Sequence, residues 1–138
     1  MALLTIEEGI YYLLANTAAV AAIVGTRIYP LKLPQNPTLP ALTYQLITPM
    51  SIIAHDGKSG TAQCRYQITG FASDPDAVRD LIEEVRICMD GYKGTIGGAD
   101  TIVVQAMLPD GGYENDDPES GRYMRARDYM IWYDEPIT

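Results

Sequence analysis

The sequence predicts an α+β fold: an antiparallel sheet with helices packed on it, in the order α-α-β-β-β-α-β-β. Three observations lead there. Residues 61–72 alternate, with Ala62, Cys64, Tyr66 and Ile68 on one face and Gln63, Arg65, Gln67 and Thr69 on the other, the period of two that marks a strand. The polar face means that one side of the sheet is left without helices, which antiparallel sheets allow. Ser73-Asp74-Pro75 then opens a helix, since Ser73 or Asp74 can accept from a first-turn amide and Pro75 loses nothing at a position where its N–H would be unpaired. Ala77, Val78, Leu81, Ile82, Val85, Cys88 and Met89 form its apolar stripe, and Gly91 is the expected stop.

The remaining elements follow in order. Thr5-Ile-Glu-Glu8 has the form of a capping box and starts a helix from Ile6 to about Asn16. Asn16-Thr17 re-caps a short helix, Ala18 to Val24, which ends at Gly25. Arg27 to Tyr29 is a short strand, and prolines at 30, 34, 37 and 40 make residues 30–40 a stiff arm. Leu31 and Leu33 on that arm are candidate contacts with a neighbouring subunit. Ala41 to Thr48 alternates as a strand, and residues 49–60 read as a long flexible loop with a turn-rich tip, Asp56 to Gly60. Loops of that length are often functional, which makes His55, Asp56 and Lys58 candidate partner contacts. Residues 92–100 read as a flexible link into a strand over 101–108, and 110–121 as a flexible acidic loop. The last strand, 122–134, carries large side chains on both faces, Met124, Met130 and Trp132 against Tyr123, Arg125, Arg127, Tyr129, Ile131 and Tyr133. Helices can cover one face and a neighbouring subunit the other, so Tyr123, Arg125, Arg127 and Tyr129 join the candidate interface.

The totals narrow the function. With 138 residues, one domain is expected. A net charge of -8 opposes a surface that grips phosphate or anionic lipid. Both cysteines fall on apolar faces, as buried reduced thiols of a cytoplasmic protein would. No apolar run reaches membrane-span length, and no membrane partner is expected.

The residues offer little catalytic chemistry. His55 is the single histidine and no serine sits in a Gly-x-Ser-x-Gly turn, so no catalytic residue, metal ligand or cofactor site is assigned. Asp110, Glu114, Asp116, Asp117 and Glu119 invite a calcium reading, but Asn115 stands where an EF-hand loop needs glycine. The glycines at 91 and 94 follow a helix and precede a strand, the reverse of a phosphate-binding loop. Ten tyrosines are the compositional oddity, and tyrosine suits the wet rim of a subunit interface.

Taken together, the landmarks Arg27-Ile-Tyr-Pro30, Pro40-Ala-Leu-Thr-Tyr-Gln45, the His55 to Gly60 loop, Arg65-Tyr-Gln-Ile68, Met89-Asp-Gly91 and Tyr123 to Tyr133 resemble the tail completion, or tail terminator, proteins of long-tailed bacteriophages and prophages. The resemblance covers nearly the whole chain. It implies a tail-terminator-like α+β subunit of a ring, hexameric in the family, that ends the tail tube and joins it to the head connector. The implied partners are copies of the chain, the tail tube protein and the connector protein. DNA would pass through without specific binding, and the acidic loop (Asp110, Glu114, Asp116, Asp117, Glu119) would line the channel or meet an axial partner. The implied location is the virion, after assembly in the host cytoplasm. Two alternatives stand beside it: another small tube, neck or minor tail subunit, and a small cytoplasmic enzyme.

Overall fold

A computed structural model describes residues 6–55, 59–96 and 102–134. Among them are helices α1 (Ile6–Ala15), α2 (Ala18–Val24) and α3 (Pro75–Met89), and strands β1 (Ile28–Pro30), β2 (Ala41–His55), β3 (Ser59–Ala72), β4 (Gly94–Ile96), β5 (Ile102–Asp117) and β6 (Arg122–Asp134). The strands form one sheet in the order β1-β2-β3-β6-β5-β4. Every neighbouring pair is antiparallel except β1 with β2. The fold is α+β, with a helical layer on one side of a sheet.

The β3–α3 unit is built as the alternation requires. Cys64, Tyr66 and Ile68 are buried against the helices, and Val78, Leu81, Ile82, Val85 and Met89 of α3 are buried in return. Asp74 caps α3 by accepting from the Asp76 amide at 3.0 Å. Gly91, at φ +74, ends it, and its N–H donates to the Met107 carbonyl at 2.7 Å. The residue that stops the helix therefore also ties it to β5. Gly70 is where helix and sheet come closest: an added Cβ would meet Ile82 at 3.1 Å and Leu81 at 3.2 Å.

Several expectations are corrected. Thr17 makes no side-chain cap on α2. Its hydroxyl donates to the Leu13 carbonyl at 2.7 Å and lies 3.1 Å from Cys88 Sγ, joining α1 to α3. The stretch 49–60 is not a loop over most of its length, because β2 runs to His55 and β3 starts at Ser59. The 92–100 link includes β4, which pairs with residues 102–104 of β5. The acidic stretch pairs with β6 as far as Asp117, leaving a tight turn before Arg122. In the three strand stretches cross-strand pairing overrode polar or turn-forming local composition, with β-bulges in β2 and β5 near Pro49, Pro109 and Gly112. Thr5, Asp56 and Lys58 lie outside the described residues.

The core brings together Leu14, Val24, Leu42, Leu81, Met107 and Tyr129, with further apolar side chains around them. Burial pushes the Cys64 thiol up to about 12 and the Tyr129 phenol up to about 12, so both stay neutral. Tyr129 is fully buried, yet its hydroxyl has no hydrogen-bond partner among the described residues. Removing an orphaned buried hydroxyl stabilises: Tyr129→Phe is expected to raise unfolding free energy by about 1 kcal/mol, read from urea denaturation midpoints.

Candidate assembly surfaces

Besides the charged outer face of α3, four regions expose distinctive chemistry among the described residues: the proline arm, the distal β5–β6 hairpin, the helix-free face of the sheet, and a tyrosine-lined hollow beside α1.

The arm is the crossover between parallel strands. A parallel pair needs a connection that brings the chain back to the same end, and residues 31–40 provide it between β1 and β2. Both ends are fastened to the sheet edge. The Leu31 N–H donates to the Tyr44 carbonyl at 2.9 Å, and Arg27 Nε donates to the Pro40 carbonyl at 2.8 Å. Leu31 adopts φ +68 and is 67% exposed, whereas Leu33 is half-buried. A leucine held in the left-handed region with its side chain in water is strained and unpartnered by apolar neighbours.

The distal hairpin is held by charge. Residues 108–120 are exposed, so apolar burial contributes little there. Arg125 pairs with Asp116 and, at 3.3 Å, with Glu114, and Arg127 lies 3.6 Å from the same Glu114 carboxylate. Arg65 pairs with Asp110 and lies 3.4 Å from Asp128, which also accepts from Gln67 Nε2 at 3.0 Å. Three of the five carboxylates expected to be solvated are thus neutralised by arginines from β3 and β6. The Ser120 hydroxyl donates to the Asp117 backbone carbonyl at 3.3 Å and the Ser120 amide to the Asp117 carboxylate at 3.4 Å, closing the turn, and hydrogen bonding from Ser120 holds the Asp117 carboxyl below the usual range. Glu119 is exposed. Arg125 and Arg127 face α3 across a groove of about 310 Å³ that also contains Arg79, Arg86 and Glu83. Arg125→Leu is expected to free the hairpin, at a cost of about 1 kcal/mol because the partner carboxylates are largely solvated. Amide exchange over 113–117 should then rise about fivefold, with little change in α3.

The terminal strand separates its two faces as expected, but the structure redistributes its candidate contacts. Tyr129, Ile131 and Tyr133 are buried under the helices. Tyr129 is therefore a core residue and not part of any surface. Arg125 and Arg127 spend their charge within the chain, and Tyr123 is half-buried. Met124, Met130 and Trp132 remain half-buried on the helix-free face, beside Gln63, Arg65 and Gln67 of β3. His55 is the last residue of β2, opposite Ser59.

Sequence reasoning missed the hollow. Glu8, Tyr11, Tyr12 and Tyr44 line a space of about 430 Å³. The Tyr11 and Tyr44 rings meet at a tilt of 53° with centroids 6.3 Å apart, and burial, then the nearby Glu7 carboxylate, raises the Tyr44 phenol. Adjacent Tyr11 and Tyr12 in a helix are the signal that could have found it: they lie about 100° apart, beside the stripe that Ile10 and Leu14 already carry to the core, and both stay partly exposed. Leu46 and Ile47 of β2, 44% and 41% exposed, continue this edge. Among the described residues, no group of three or more His, Cys, Asp or Glu is arranged to hold a metal ion.

The model of the family described as tail completion protein gp17 matches residues 8–134. Among curated proteins none matches. A solved structure titled virion of native gene transfer agent (GTA) particle contains a chain with the same fold, at TM-score 0.66 and 15% identity, covering 92% of each chain. The family match spans both faces of the sheet, all three helices and the charged hairpin: the chain belongs to the tail completion protein gp17 family and is a structural protein of the phage virion.

Proposed function

We propose that the chain is one subunit of a ring, hexameric by family resemblance, that terminates the phage tail tube and joins it to the head connector while the genome passes through its channel. Its role in this reading is structural and not catalytic. The observation that carries the reading is a sheet covered by helices on one face only, with Met124, Met130 and Trp132 left half-buried on the other. A ring of heterologous contacts needs distinct patches on each subunit, and the arm, hairpin, sheet face and hollow provide them. Leu31, Leu33, His55, Asp56 and Lys58 remain proposed contacts with neighbours or axial partners.

The charge distribution supports passage of DNA without capture. Arg65, Arg125 and Arg127 are committed to carboxylates of the same chain, so they offer little to phosphate. Glu119 and Asp117 at the hairpin tip are the carboxylates we place at the channel or an axial partner. The test is mass in solution over a range of concentrations, followed by imaging. Closed rings with a central channel are expected. Open tubes would favour a tube subunit, and an exclusively monomeric chain that tails do not recruit would overturn the ring.

A further inference from the structure

Among the described residues, strand pairing leaves two long backbone edges open, at diagonally opposite corners of the sheet. β1 covers the outer side of β2 only at residues 42–44, and β4 covers the outer side of β5 only at residues 102–104. The Leu31 and Gly91 amides take the Tyr44 and Met107 carbonyls. Beyond those points, among the described residues, no backbone hydrogen bond reaches the outer side of β2 from Gln45 to His55 or of β5 from Leu108 to Asp117.

We infer that these edges are the seam between copies: β2 residues 45–55 of one subunit pair antiparallel with β5 residues 108–117 of the next. The inference rests on the ring reading and supplies its contact. Four features carry it.

The first is direction. Along β2-β3-β6-β5 each strand reverses its neighbour, so β5 of one copy meets β2 of an identically oriented copy antiparallel. The alternation continues across the seam without a break.

The second is charge. From Gln45 to Ala54 the β2 edge contains no charged residue, whereas the β5 edge contains Asp110, Glu114, Asp116 and Asp117. Native proteins blunt exposed edges with charge, so a long uncharged edge calls for a partner. Pairing two β5 edges would crowd carboxylates that already share Arg65, Arg125 and Arg127 without adding a cation, whereas the β2 edge adds no carboxylate, which favours the β2-to-β5 contact over β5 with itself.

The third is apolar exposure. Leu46 and Ile47 are exposed on the β2 edge, as are Leu108 and Tyr113 on β5.

The fourth is stagger. Read across the ladders, Gln45 lies level with Gln67, Asp128 and the bulge at Asp110–Gly111. Pairing Gln45 with Asp117 of the next copy therefore shifts that copy by about six residues, roughly 20 Å along the strands at ~3.3 Å per residue. Four strands span roughly 19 Å across. The resulting slope is about 45°, the strand tilt of a closed barrel. By covering opposite corners, β1 and β4 exclude the unstaggered register, which would extend a flat sheet. Pro49 lies in the bulged part of β2 and Pro109 borders the bulge of β5, so the ladder of the seam is interrupted at both.

The experiment uses the full chain with cysteines introduced singly at exposed positions and mixed in pairs under mild oxidation. In the expected antiparallel seam, residue numbers of cross-linking partners sum to about 162. Ile47→Cys should thus cross-link to Asn115→Cys at least about tenfold faster than to Leu108→Cys. Ile47→Glu, which puts a carboxylate where the seam buries an apolar side chain, should raise the concentration needed for assembly about tenfold, while Ile47→Val leaves it unchanged. Rings that form without the Ile47–Asn115 cross-link, or that prefer Leu108, would overturn the seam and leave the ring reading standing. Self-cross-linking of Ile47→Cys alone would replace it with a β2–β2 dimer. A wild-type chain that neither forms rings nor joins tails would overturn both.

Discussion

Gly112→Ala is expected to disrupt the β5–β6 hairpin, with a loss of about 3 kcal/mol in stability. Gly112 lies in the β5 bulge at φ +153, and a Cβ there would stand 2.2 Å from the Ala126 carbonyl oxygen and 3.0 Å from Arg127 Cα. Both obstacles are backbone, so no rotamer change relieves them. Moving the strand instead would pull Glu114 and Asp116 away from Arg125, the contacts that hold the distal hairpin. The measurement is urea denaturation together with amide exchange over 110–127. Native exchange in this region would show that the bulge accommodates a side chain, contrary to the geometry.

Leu81→Ala should cost about 3 kcal/mol, because Leu81 is fully buried where α3 approaches the sheet most closely. The same contact predicts a coupling. A methyl group at position 70 would press on Leu81 at 3.2 Å and Ile82 at 3.1 Å, so Gly70→Ala alone is expected to destabilise by about 1 kcal/mol. In the Leu81→Ala background it fills part of the cavity and should cost less, or become stabilising, with an interaction of about 1 kcal/mol. Strictly additive changes would show that the helix shifts away from Gly70 rather than packing on it. Cavity loss here also loosens the unit that positions Gly91 on β5.

What could be read locally was read correctly where one physical rule acted alone. The Cys64-Tyr66-Ile68 alternation and the Val78 to Met89 stripe each have a single period and one demanding face, and the structure buries those side chains. The Asp74-Pro75 start and the Gly91 stop depend on backbone geometry within a few residues. The ordered landmarks resemble the family that matches residues 8–134 without help from any tertiary contact, because short motifs keep their order even when none has its own chemistry.

The composition of the acidic stretch and of residues 49–55 favours loops, but both are strands, because strand pairing is decided by partners distant in sequence. Arg125 and Arg127 looked like interface residues until β5 brought Glu114 and Asp116 beside them. Tyr129 looked equally available until helices closed over it. By itself the sequence determined the fold class, the β3–α3 core unit and the family. The tertiary structure alone decided which charges are spent within the chain and which backbone edges remain open, since both depend on how residues far apart in the chain meet across the sheet.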